Sequence, residues 1–315
     1  MPVKSSSILV IGAAGQIGTD LVSALRKACT RKSVVACCHK TKPELKLIES
    51  GPVEYLDATD VNQIKAIVKK YNPNTIYNLA TVLSGAGETN PRLAWETNVI
   101  SHKNILDVSV ECAIDRVFWP SSIAVFGLTT PSTNTPQHTI LEPTSMYGVT
   151  KVTGENLSNY YYRKYGLDVR SIRFPGLISV NKFSGGGTSD YTVEMILSAL
   201  ENRPYECFVN RETRMPLMAM EDAIEATLML MQASRESITV RTSYNLGALS
   251  FSAGDLEKEI VKHVPNFRCT YVPDFRQAIA DSWPDSVDDS VARSDWNWNE
   301  RIDLSKLVSN VFEKK

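Results

Sequence analysis

The stretch Ser6-Ser7-Ile8-Leu9-Val10-Ile11-Gly12-Ala13-Ala14-Gly15-Gln16-Ile17-Gly18 decides the fold. Its first part, Ser6–Ile11, runs into a continuous apolar stretch, the mark of a strand buried on both faces of a parallel sheet. Three glycines follow in the spacing G-x-x-G-x-x-G, one residue wider than the general G-x-G-x-x-G fingerprint. Beyond them Ile17, Leu21, Val22, Leu25 and Ala28 fall on one face of a helix. A strand that ends in glycines and opens a helix offers unpaired backbone N–H groups and the positive end of a helix dipole. Both favour a pyrophosphate. Gly12, Gly15, Gln16, Ile17 and Gly18 are therefore candidates to hold a dinucleotide, against the alternative of a tight β-α turn with no ligand.

The alternation continues outward from this stretch. Strands are predicted at Ser33–Cys38, Val53–Leu56, Thr75–Ala80, Arg116–Trp119 and Val169–Phe174. Between them lie a helix capped by Asp60, a long helix from Pro91 to about Ala113, and a second long helix over Met146–Tyr165. The pattern predicts an α/β fold, a doubly wound parallel sheet with ligands at the carboxyl ends of its strands. After residue 176 it changes. Phe183–Ser189 reads as a flexible loop, and shorter elements follow, with candidate helices at 190–202, 221–234, 253–263 and 303–313. The expected division is a dinucleotide-binding domain over 1–176 and, over 177–315, mainly a smaller substrate-binding lobe interleaved with it.

Composition excludes several classes. The 315 residues carry 34 Lys+Arg against 35 Asp+Glu, which leaves no electrostatic footprint for nucleic acid. No apolar run approaches the ~18–20 residues that span a bilayer. The six cysteines include no C-x-x-C pair, so a disulfide framework is not expected. The four histidines form no close cluster, and no metal site is expected. The opening MPVKSSS runs at once into the first strand, so no signal peptide is expected, and a transit peptide is expected to be either removed or absent.

Chemistry concentrates at Tyr147-Gly-Val-Thr-Lys151. The two side chains are four apart and share a helix face. An ammonium beside a phenol favours the phenolate and lowers a pKa that is ordinarily about 10, making a base usable near neutral pH. Ser122, at the end of the preceding strand, offers a hydroxyl to hold a substrate oxygen. The end of the second strand reads Ala36-Cys37-Cys38-His39-Lys40-Thr41-Lys42. It lacks the acid that usually meets an adenosine ribose ~20 residues beyond the glycines. Cys38 or His39 is left to meet the ribose, and Lys40 or Lys42 to meet a 2′-phosphate.

Together, Gly12/Gly15/Gly18, Asp57-Ala58, Asn78-Leu79-Ala80-Thr81, Asn98, Ser122, Tyr147 and Lys151 resemble the extended short-chain dehydrogenase/reductase family over almost the whole chain. Five further segments resemble the L-threonine 3-dehydrogenases of that superfamily: Asn90–Trp95, Pro120–Gly127, Arg173–Gly176, Gly185–Tyr191 and Thr213–Met218. The resemblance implies NAD as cofactor and L-threonine as substrate. It makes Ser122, Tyr147 and Lys151 the catalytic trio. It implies cofactor contacts at His39, Asp57, Ala58, Leu79, Ala80, Thr81, Asn98 and Pro175 besides the glycine loop. Substrate contacts are then expected at Ser84, Ser122, Tyr147, Gly176, Thr188 and Trp283, with the Gly185–Thr188 loop closing over them. It implies a homodimer through the two long helices, and a mitochondrial compartment in a eukaryote or a cytoplasmic one in a bacterium. A sugar-nucleotide epimerase or dehydratase of the same architecture is the alternative.

Overall fold

The computed structural model describes residues 7–179 and 187–313. Ser6 and the part of the predicted loop from Phe183 to Gly186, with Gly185, lie outside them. The large sheet has seven strands. Six are β1 (Ile8–Ile11), β2 (Val34–Cys38), β3 (Val53–Tyr55), β4 (Thr75–Asn78), β5 (Arg116–Ser122) and β6 (Asp168–Phe174). The seventh, Tyr244–Asn245, is short and pairs with β6. From that edge the order is Tyr244–Asn245, β6, β5, β4, β1, β2, β3, and all pairings are parallel. The winding reverses between β1 and β4, and a crevice opens there at the carboxyl ends.

β1 and β2, near the middle of the sheet, are wholly apolar because both their faces are covered. Val34, Ala36 and Cys38 face one core with Leu21, Val22 and Leu25 of the Gln16–Ala28 helix, whereas Val35 and Cys37 face another with Ile64, Ile67, Ile105 and Leu106. The strand period of two thus sends alternate residues of β2 to opposite helical layers. Asp60 caps the Val61–Tyr71 helix, accepting from Asn62 N and Gln63 N.

The chain beyond Phe174 is interleaved with this sheet. Gly176–Ile178 pairs with Arg214–Ala219, which pairs in turn with Leu249–Ser252, forming a second small sheet. Yet the Met220–Gln232 helix packs with the Gln16–Ala28 helix on the large sheet. Buried Arg170 fixes its end, donating to Leu230 O at 2.5 Å and Ala233 O at 2.8 Å. Among the described residues no helix is long and apolar enough to cross a membrane.

Several elements differ from the sequence reading. β5 runs on to Ser122, because it pairs with β6 over its whole length. Short helices at Leu45–Glu49 and Ser84–Thr89 carry too few residues for a readable period. The long helix starts at Pro91, capped by Asn90, but passes through a π-helical stretch, Glu96–Ile100, before Ser101–Glu111.

The β1 turn depends on its glycines. Gly12 has φ +81, the left-handed region, and a Cβ there would lie 2.9 Å from the Leu79 carbonyl carbon. A Cβ on Gly18 would lie 2.3 Å from Gly12 O, a backbone atom that cannot swing away. Gly18→Ala is therefore expected to cost ~1–3 kcal/mol in stability and to weaken NADH binding at least tenfold. Thermal unfolding and fluorescence titration check both.

Candidate active site

The residues predicted to meet a dinucleotide converge on the crevice. The Gln16–Ala28 helix starts at Gly15 with no side-chain cap and no acid in its first turn. Its first N–H groups are thus left to an external acceptor, which fits a pyrophosphate. Leu79 N donates to Ile11 O at 2.9 Å, so the Leu79–Thr81 segment lies directly against the glycine loop. At the next strand ends, His39 Nε2 approaches Asp57 Oδ2 at 3.6 Å, while Asp57 also accepts from Thr59 N and Oγ1. Cys38 is buried within β2 and His39 is exposed, so the histidine is the side chain offered at that strand's end. Ala58 is buried beside Asp57, and Pro175 is buried directly after β6.

Asn98 sits one layer behind. It is buried in the π-helical stretch, accepts from Val82 N at 2.7 Å and Thr81 Oγ1 at 3.2 Å, and donates to Val82 O and to Thr150 Oγ1. It therefore ties the segment after β4 to the Met146–Tyr165 helix.

That helix carries Tyr147 and Lys151 of the expected trio, and Ser122 ends β5. Ser145 caps the helix by accepting from Gly148 N at 3.1 Å. A Cβ on Gly148 would lie 2.2 Å from Ala124 O, so its first turn rests on the backbone just after β5. This brings Tyr147 to Ser122. The hydroxyls of Ser122 and Thr81 stand near the phenol and draw its pKa down. Burial is the larger influence and pushes it up to about 12. Lys151 differs from expectation. Its ammonium donates to Pro120 O at 2.6 Å and lies 5.3 Å from the Tyr147 ring centroid. Burial brings Lys151 down to about 7, opposed by Glu155. The expected lowering of the phenol is thus corrected: desolvation raises its pKa, and the two neighbouring hydroxyls supply the opposing pull.

The expected substrate residues divide. Ser84 Oγ and Thr188 Oγ1 are both buried and lie 3.1 Å apart across a wide sequence gap. Gly176 faces Ser189, whose Cβ would stand 2.6 Å from a Cβ placed on the glycine. Trp283 is buried in the apolar cluster that also holds Tyr147 and Tyr191, but among the described residues no hydrogen bond or ring contact joins it to these hydroxyls. Asp190, not singled out from the sequence, braces the same turn by accepting from Gly187 N at 2.7 Å.

The NAD dependent epimerase/dehydratase family matches residues 8–247. The chain belongs to that family. Its cofactor is NAD, and it is an NAD-dependent oxidoreductase. It is 42% identical over 312 residues to an uncharacterized epimerase/dehydratase of Staphylococcus haemolyticus, covering 98% of each chain. It is 41% identical to the mitochondrial L-threonine 3-dehydrogenase of Sus scrofa, covering 97% of this chain and 81% of that one. A solved structure of a monomeric L-threonine 3-dehydrogenase from a metagenome superposes with TM-score 0.93 at 45% identity, covering 98% of each chain.

Two other side chains of this epimerase/dehydratase member escaped the sequence reading. In the sequence Trp119 is a strand end and His102 one of four scattered histidines, yet they stack with centroids 4.6 Å apart, with Trp119 against Gly154 of the Met146–Tyr165 helix. The available signal was Gly154, where any Cβ would strike the Trp119 ring at 2.3 Å.

Asp190 yields a pH prediction. Burial, ahead of Glu194, raises its pKa to about 6, so ionising it costs the fold stability as pH rises from about 4 through 6. Asp190→Asn keeps an acceptor for Gly187 N–H without that cost. It is expected to gain about 1–2 kcal/mol at pH 8 and nothing below pH ~4. Denaturant unfolding at the two pH values checks the sign.

Proposed function

We propose that the protein is an L-threonine 3-dehydrogenase, oxidising the threonine hydroxyl to 2-amino-3-oxobutyrate. The Ser84–Thr188 hydroxyl pair carries this reading. A free amino acid is a small zwitterion and needs several polar groups in little volume. Ser84 and Thr188 supply them on the side of the crevice that also holds Ser122 and Tyr147. The likeness to L-threonine 3-dehydrogenases at 41% and 45% identity supports it.

In this mechanism Ser122 holds the substrate oxygen and Tyr147 takes the hydroxyl proton. Lys151 sets the charge around the phenol and would hold the nicotinamide ribose of bound NAD. Bound NAD would supply the acceptor for the hydride that leaves threonine C3. The burial that raises the Tyr147 pKa also excludes water from the reacting oxygen. The region before residue 176 serves the cofactor, and the interleaved lobe supplies Thr188 and its neighbours.

The homodimer is part of the same proposal. Leu93, Trp95, Ile100, Val149 and Tyr160 are exposed on two long helices that pack side by side. They form the apolar stripe of a four-helix interface. Size-exclusion chromatography with light scattering is expected to give twice the chain mass; a single-chain mass would align this protein with its monomeric relative.

The reaction is tested by NADH formation at 340 nm. L-threonine is expected to give turnover, L-serine ~10–200-fold less for want of the methyl group, and uridine diphosphate sugars none. Tyr147→Phe is expected to lose ~10²–10⁴-fold in turnover with NAD affinity kept. Tight binding of uridine diphosphate sugars without threonine turnover would favour the epimerase alternative.

A further inference from the structure

Lys151 is a buried cation whose natural counter-charge is already taken. Glu155 stands one turn further along the same helix. Its carboxylate receives Arg173 Nε at 2.9 Å and Nη2 at 2.8 Å, and Ser121 Oγ at 2.6 Å. The groups facing the ammonium are Pro120 O at 2.6 Å, the Tyr147 ring, and the ring of Trp119, whose centroid is 4.5 Å from Nζ. Trp119 is itself held. It stacks on fully buried His102 at 4.6 Å with the planes 20° apart. Ser158 Oγ donates to Gly154 O at 2.8 Å, so it accepts from His102 Nε2 at 3.0 Å. The imidazole therefore carries its proton on Nε2 and takes Asn78 Nδ2 at Nδ1, 3.4 Å away. Burial, with a smaller push from Lys151, brings the His102 pKa down to about 3. It is a neutral plate that adds no repelling charge behind the lysine.

We propose that Trp119 is a positioning residue for the reaction: its indole face, backed by neutral His102, seats the Lys151 ammonium beside Tyr147 in place of a carboxylate. A π-face attracts the cation without neutralising it. A carboxylate at that place would cancel the positive potential that favours the phenolate. The indole keeps the lysine charged and leaves its field directed at the phenol. The inference rests on the catalytic roles given to Tyr147 and Lys151 above.

The test compares Trp119→Phe, which keeps a smaller π-face, with Trp119→Met, which fills space without one. The first readout is the Lys151 Nζ chemical shift against pH in cofactor-free protein labelled with nitrogen-15 lysine, assigned with Lys151→Met. In Trp119→Met its midpoint is expected to fall by roughly one pH unit, the equivalent of a desolvated cation–π contact. In Trp119→Phe it is expected to stay within roughly half a unit. The second readout is kcat/KM for threonine, whose rise with pH is expected to move to higher pH in Trp119→Met and to be largely restored in Trp119→Phe. An unmoved Nζ midpoint in folded Trp119→Met overturns the proposal, and so does equal damage in both variants that follows thermal stability alone. If Lys151→Met and Tyr147→Phe keep full turnover, the catalytic reading has failed, whatever the Nζ titration does.

Discussion

The site depends on one buried amide. Asn98 spends both ends of its side chain: the oxygen on Thr81 and Val82, the nitrogen on Val82 and Thr150. These bonds lock the segment after β4, which meets the cofactor crevice, to the helix that carries Tyr147 and Lys151. The amide reaches both because its helix widens into a π turn there, an irregularity that commonly marks functional positions. Without it the phenol would keep its helix but lose its register against Thr81. Leaving buried backbone groups unpaired at Val82 would add a desolvation cost of its own.

Burial then sets the chemistry. Tyr147 and Lys151 are removed from water, and desolvation pushes each toward its neutral form. The surrounding groups act against that tendency, hydroxyls at the phenol and a carbonyl and an indole at the lysine. Such a pair is poised: a small change in its neighbourhood shifts proton position strongly, because a low-dielectric site magnifies every contact. The glycine loop contributes by close approach instead. Gly12 and Gly18 leave no room for side chains, so the uncapped helix N-terminus faces the crevice.

Much of this was legible beforehand. The parallel sheet followed from apolar strands such as Val34–Cys38 alternating with amphipathic helices, since a strand covered on both faces has no polar side to show. Tyr147, Lys151 and Ser122 stood out because their spacing is local or tied to a strand end. The extent of β5 was not legible, because Pro120, Ser121 and Ser122 are poor strand formers that β6 holds in place. Ser84 and Thr188 are both expected at the site from the resemblance, but their direct contact joins residues far apart in sequence, and no local pattern signals it. Lys151 was read as a partner of the phenol. Its binding to Pro120 O and the Trp119 face depends on Glu155 being occupied by Arg173, a pairing visible only in three dimensions.

The central claim is that this crevice takes the hydrogen from C3 of a free threonine. L-threonine deuterated at C3 tests it most directly. The reduced cofactor is expected to gain one deuterium, with initial rates lowered by a primary isotope effect on single turnovers. Reduced cofactor free of deuterium, or none formed while a uridine diphosphate sugar is converted, would contradict the account.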